Sequence, residues 1–229
     1  MQLIDAAKRG DLVAIRRILS QDANAIRTRA DTGETPLMAA LYRGQSEAVT
    51  LLLDSGAPLD LFAASAVGST DALVRELERP GVSVGDYAYD GWTALHLAAF
   101  FGRHNAAERL IDAGADPQAP SRNSMANTPL HAALAGRHTE VALLLIARGA
   151  DVNATDAGRH TPLHIATENG LIDAVRALIS AGADPHAVDA DDNTPLSRAA
   201  AKNRSDIVDA LNDLPSAAHE DTKARIHKD

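Results

Sequence analysis

The sequence predicts an all-α solenoid of about seven stacked helix pairs joined by short β-hairpin loops, with the first and last pairs acting as caps. Three observations predict it. Thr35-Pro36-Leu37-Met38, Thr128-Pro129-Leu130-His131, Thr161-Pro162-Leu163-His164 and Thr194-Pro195-Leu196-Ser197 share one opening, and Thr93-Ala94-Leu95-His96 differs by one Ala; the last four threonines are spaced 35, 33 and 33 residues apart. Gly114-Ala115-Asp116, Gly149-Ala150-Asp151 and Gly182-Ala183-Asp184 keep the same beat, at 35 and 33. Finally, the 229 residues are 45% hydrophobic but only 3% aromatic, so the core must be built by packing Ala, Leu, Val and Ile closely.

The chemistry inside one period explains the beat. Thr161 supplies a hydroxyl cap and Pro162 occupies the first turn, where a missing N–H costs nothing. Leu163, Ile165 and Ala166 begin an apolar face that Gly170 ends. Val175, Leu178 and Ile179 follow at i, i+3 and i+4 in a second helix closed by Gly182, and the polar stretch 183–193 suits a hairpin finger. One such unit buries too few leucines, at roughly 1.5–3 kcal/mol each, to offset roughly 1–2 kcal/mol of backbone entropy per residue. It must stack on a neighbour.

The glycine slot after each first helix gives the units in order: Gly10, Gly44, Gly68, Gly102, Arg137, Gly170 and Asn203. The corresponding boundaries are about 1–30, 31–58, 59–89, 90–126, 127–157, 158–190 and 191–212, with a flexible C-terminal tail expected over 213–229. The first unit lacks the Thr-Pro opening and displays Lys8, Arg9, Arg16 and Arg17; the last replaces Gly with Asn203 and displays Lys202, Arg204, Asp206 and Asp209, as polar caps should. Two departures stand out. Arg137 occupies a glycine slot with Gly136 one residue early, which predicts a reshaped turn. The step from Gly44 to Gly68 is 24 residues, which predicts a missing finger between the second and third units and a notch in the groove.

This pattern closely resembles the ankyrin repeat, a helix pair plus a hairpin in about 33 residues opened by Thr-Pro-Leu-His. The resemblance covers about residues 1–212. It implies that His96, His131 and His164 hydrogen-bond the turns of their own units, and that binding uses finger tips and the exposed ends of the first helices, which line a concave face.

The net charge of −9 opposes nonspecific attraction to nucleic acid or an anionic membrane. Basic side chains such as Arg103, Arg159 and Arg198 are scattered among acids and form no stripe. The absence of cysteine removes disulfides, thiolate zinc sites and a cysteine nucleophile, and fits a reducing compartment. No apolar run reaches the ~18 residues that suggest a spanning helix, and the N-terminus does not read as a signal peptide. The expected location is cytoplasmic. His96, His131 and His164 sit one helix spacing apart, about 8–10 Å, too far to share a zinc whose bonds are about 2.0–2.1 Å. No nucleophile elbow, phosphate loop or zinc-protease helix occurs. The expectation is a non-enzymatic module (scaffold, adaptor or inhibitor) with no catalytic residue, cofactor or metal, taken as a monomer that binds a protein partner.

The candidate contact residues are Tyr42, Arg43, Tyr87, Tyr89, Asp90, Trp92, Phe100, Phe101, Arg122, Met125, Asn127, His160, Glu168 and Asn169. Five of the seven aromatic residues fall between Tyr87 and Phe101, and large rings are the usual anchors of binding energy. Two readings compete: an exposed hot spot, with Trp92 and Tyr89 outward, or a plug in the space of the missing finger. The first predicts that Trp92→Ala weakens binding by roughly 2 kcal/mol or more and leaves folding intact. An alternative function is capture of a small ligand or peptide in an aromatic-lined notch near residues 87–101.

Overall fold

A computed structural model describes residues 2–212; the tail expected to be flexible, 213–229, lies outside them. The described chain is all-helical. Helices come in pairs: α1 (Gln2–Arg9) with α2 (Leu12–Gln21), α3 (Pro36–Tyr42) with α4 (Ser46–Asp54), α5 (Leu61–Val67) with α6 (Thr70–Leu77), α7 (Ala94–Phe100) with α8 (His104–Asp112), α9 (Pro129–Ala135) with α10 (Thr139–Ala147), α11 (Pro162–Asn169) with α12 (Ile172–Ser180), and α13 (Pro195–Ala201) with α14 (Ser205–Asn212). A 3-10 turn, Ala23–Arg27, follows α2. The fingers are tight turns more than laddered hairpins: among the described residues one isolated antiparallel bridge occurs, Tyr87 with Thr93.

The helix starts follow from side-chain chemistry. The hydroxyls of Thr35 and Thr194 accept the amides of Met38 and Ser197, at 3.2 and 3.1 Å. The Thr93, Thr128 and Thr161 caps recruit His96, His131 and His164, whose Nδ1 accepts the threonine amide. Asp60 caps α5 through the Ala63 amide at 2.9 Å.

First helices pack on first helices, and second on second, to make two parallel rows. Small residues allow the first row to pack tightly: Ala39, Ala40, Ala64, Ala66, Ala98, Ala99, Ala132, Ala133, Ala166 and Ala199 are all fully buried. Leu95, Leu130 and Leu163, at one slot in three consecutive units, fill the space between the rows. First helices touch their neighbours more extensively than second helices do, so the solenoid bends with the first-helix side inward. That side is the concave face.

All seven glycine slots hold left-handed backbone, including Arg137 (φ 63°) and Asn203 (φ 54°). The turn at Arg137 is therefore not reshaped. Gly136 keeps an ordinary φ of −72°; its lack of a side chain serves another purpose, because a Cβ there would collide with the Phe100 carbonyl oxygen. Glycine is spent on a close approach, and Arg137 accepts the backbone strain.

Three kinds of staple join the units. The Nε2–H of His96, His131 and His164 donates to the carbonyls of Asn127, His160 and Asn193 at the base of the next finger, at 2.9, 3.0 and 3.0 Å. Finger amides reach back to the preceding finger: Arg122 to Gly91, Ala157 to Met125 and Ala190 to Gly158, at 2.8, 2.8 and 2.9 Å. Gln118 and Asn153 each grip the next unit twice, donating to the Gly149 or Gly182 carbonyl and accepting the Asp151 or Asp184 amide. Asp116, Asp151 and Asp184 accept amides two residues on, each at 2.8 Å, which accounts for their recurrence.

Only residues 55–60 separate α4 from α5. Gly33, at the tip of the second unit's finger, instead approaches Tyr89, at the end of the third, so closely that a Cβ on Gly33 would lie 2.8 Å from the Tyr89 Cβ.

Candidate partner-binding face

Aromatic rings gather on the concave side where α3 and α7 end. Tyr42 packs against Trp92, Phe100 and Phe101 at centroid separations of 6.4, 6.5 and 5.4 Å. Phe100 meets Trp92 and Phe101 edge-on, at 5.1 and 5.2 Å. Tyr42, Phe100 and Phe101 remain half-buried. Trp92 is different. It lies beneath them at 6% exposure and stacks on the buried His96 ring. The expectation that Trp92 faces outward is corrected: Tyr42 and Phe100 cover it, and its Nε1 finds no partner among the described residues.

The Tyr42 hydroxyl donates to Asp90, which also accepts the Trp92 amide at 3.1 Å. Burial, then the Asp90 carboxylate, pushes the Tyr42 phenol up, so it stays protonated and donating. Arg43, at the end of α3, is exposed.

Finger tips supply the rest of the face. Tyr89 is 38% exposed and Met125 47% exposed. Tyr87 is half-buried; its hydroxyl donates to the Pro120 carbonyl at 3.1 Å, and the exposed Arg122 lies 3.9 Å over its ring. Asn127 is a second correction. It is 6% exposed because it forms the base of its finger, its carbonyl receiving His96 and its amide donating to the Ser121 hydroxyl at 3.1 Å.

Further along, His160, Glu168 and Asn169 are half-buried. The His160 Nδ1–H donates to Asp156 at 3.1 Å, and its Nε2 accepts from Arg198 at 2.9 Å. Arg198 also donates to Glu168 at 3.1 Å and to the fully buried Asp189 at 2.6 Å. Burial alone would raise the Asp189 carboxyl; the Asn193 and Asp191 amides and Arg198 outweigh it and hold the group well below the carboxylate range. Asn169 donates to the Leu134 carbonyl at 3.0 Å. The structure thus brings Tyr42, Asp90, Phe100 and Phe101 together over Trp92, and gathers His160 and Glu168 separately around Arg198.

A cavity of about 260 Å³ occupies the place of the missing finger. Tyr87 and Tyr89 line it, as do Arg29, Asp60, Met38 and Phe62, whereas Trp92, Phe100 and Phe101 do not. The aromatic notch expected near residues 87–101 therefore uses only the first part of that segment. Phe62 was not singled out from the sequence; the 24-residue interval was the available signal, because it places the start of α5 beside the gap. Arg198 was likewise passed over among scattered basic residues.

No helix among the described residues is long and apolar enough to cross a membrane, and no group of three or more His, Asp or Glu converges as a metal would require.

A family model described as ankyrin repeats, three copies, matches residues 3–62, 61–156 and 155–222. The chain is 35% identical over 152 residues to the neurogenic locus Notch protein of Drosophila melanogaster, covering 63% of this chain and 5% of that protein. It is 34% identical over 127 residues to ankyrin repeat and SOCS box protein 16 of Mus musculus, covering 55% and 24%. With the mitochondrial disaggregase of Bos taurus it shares 30% identity over 145 residues, covering 58% and 21%. The match thus spans at most 24% of the length of these relatives.

Proposed function

Because the chain belongs to the ankyrin-repeat family, whose repeats are generally protein–protein interaction modules, we propose that it binds a protein partner across its concave face and performs no chemistry on it. One observation carries this reading. In a chain with only 3% aromatic residues, Tyr42, Phe100 and Phe101 cluster on the inner face, each only half-buried. Half-buried aromatic residues on a surface cost solubility unless something covers them, and such anchors are where binding energy concentrates. The role is that of a scaffold, adaptor or inhibitor, acting as a monomer inside the cell without nucleic acid, membrane or cofactor.

The test pairs capture with stability. Phe101→Ala removes a half-exposed ring while leaving Trp92 and the helix caps in place. Proteins retained from native extract by the wild-type chain and lost by the variant are the expected result, with thermal melts that coincide within a few degrees. Retention of the same proteins by both chains would remove the rings from the binding face.

A further inference from the structure

The cavity beside the gap is separate from the concave ring cluster, and its walls have a chemistry of their own. Phe62, Tyr87 and Tyr89 contribute three rings, Met38 a thioether and Asp60 a carboxylate. None of the three rings packs against another among the aromatic contacts of the described residues, so they stand around a space instead of filling it. Arg29 also lines the space, but its guanidinium is engaged by Asp60 at 2.8 Å and the Gly33 carbonyl at 3.3 Å. Beyond Asp60, the Glu34 and Asp90 carboxylates act on the pocket wall, and Arg122 is a further cation, 3.9 Å over the Tyr87 ring. Burial and then the Asp90 and Glu34 carboxylates push the Tyr89 phenol up, and Lys8, the cation nearest Glu34, is paired with it at 2.8 Å.

With one face of Tyr87 taken by Arg122, the Phe62 and Tyr89 rings and the Asp60 carboxylate around the unfilled space favour a cation over a neutral group of the same shape. A volume of about 260 Å³ is ample for an alkylammonium. We propose that this pocket receives the ammonium end of a lysine side chain from the protein partner, the rings flanking its stem and Asp60 exchanging its bond with Arg29 for one with the incoming charge. The inference rests on the reading of the chain as a protein-binding module for the source of the lysine; the pocket itself is tested without that partner.

The experiment is an NMR titration of the full chain with a short Gly/Ser peptide carrying one lysine. The same peptide with norleucine is the neutral isostere, and choline is a free alkylammonium. The lysine peptide is expected to shift the amides of Asp60, Phe62 and Tyr89 saturably, and the norleucine peptide to bind about fivefold more weakly or worse. Arg29→Gln is expected to tighten the lysine peptide about threefold, by removing a like charge and releasing Asp60. Asp60→Asn, which keeps a capping side chain for α5, is expected to weaken it by a similar factor. Tyr89→Leu, at an exposed position, keeps apolar bulk and loses the π-face, and weakens it too. Equal binding of the norleucine peptide, or weaker binding in Arg29→Gln, overturns the proposal. Choline saturating the site where the lysine peptide does not overturns the protein source. The concave-face reading has a separate readout, the proteins lost by Phe101→Ala, and survives or fails independently.

Discussion

Acid should loosen the solenoid through its buried histidines, and His96 gives the clearest case. Its Nδ1 accepts the Thr93 amide at 3.3 Å, while its Nε2–H donates to the Asn127 carbonyl at 2.9 Å. The first bond requires the neutral ring, because a protonated Nδ1 cannot accept; the second persists in the cation. Desolvation dominates, outweighing the help that the Asn127 carbonyl and Asp90 would give a cation, and pushes His96 down to about 4 from a usual value of 6.5. The unfolded chain therefore takes up a proton near pH 6.5 that the folded chain refuses until about pH 4. Stability from this group is complete above the unfolded value and is lost as pH falls through the interval. At about 1.4 kcal/mol per pH unit, His96 alone withdraws about 3 kcal/mol once the medium is acid enough to protonate the folded ring. Burial lowers His131 and His164 as well, and they act in the same direction. Urea unfolding followed by circular dichroism from about pH 7.5 to about pH 4.5 reads the loss. His96→Gln should start less stable and show a shallower decline. The His96 ring resonance of the wild-type protein should hold its neutral shift until well below pH 6.5. Equal slopes for the two proteins, or a wild-type ring that titrates at its ordinary value, would refute the reasoning.

Two other substitutions probe the frame. Trp92→Ala empties a buried site under Tyr42 and Phe100 and should cost about 3–5 kcal/mol of stability; a thermal melt unchanged from wild type would return Trp92 to the surface. Arg137→Gly relieves a non-glycine residue at φ 63° and should stabilise by about 1 kcal/mol, a rise of about 2–4 °C in midpoint. A lower midpoint would mean that the arginine side chain contributes more than its backbone costs.

The architecture was legible because its devices repeat. A threonine cap, a histidine that serves that cap and a left-handed slot recur at one period, and a local feature counted several times becomes a statement about the whole chain. Arg137 shows the limit of that method: the residue type suggested a different turn, but the turn held its shape because the surrounding helices fix it and Gly136 is needed against Phe100. The candidate face was legible in location only. Trp92 and Phe100 lie eight positions apart and carry similar apolar rings, yet one is covered and the other half-open. That depends on which neighbouring helix overhangs them, which composition does not encode. Asn127 misled for a related reason, since a polar residue near a finger reads as a tip and here forms the base. The Gln118 and Asn153 grips did carry a signal, an amide side chain two residues after Asp116 and after Asp151 in the Gly-Ala-Asp motif, but they are visible only when one unit is laid against the next.

The finger that does not exist has a mechanical consequence. Backbone hydrogen bonds run from the Arg122 N–H to Gly91, from Ala157 to Met125 and from Ala190 to Gly158, whereas among the described residues no backbone hydrogen bond joins the finger holding Gly33 to the one holding Tyr89. Helices α4 and α6 also meet less than other second-row neighbours. Laced on one side and unlaced on the other, the spring has a weak coil one third of the way along. Pulled from its ends, it would part there first, the leading two pairs swinging away as one block while the trailing five stay together.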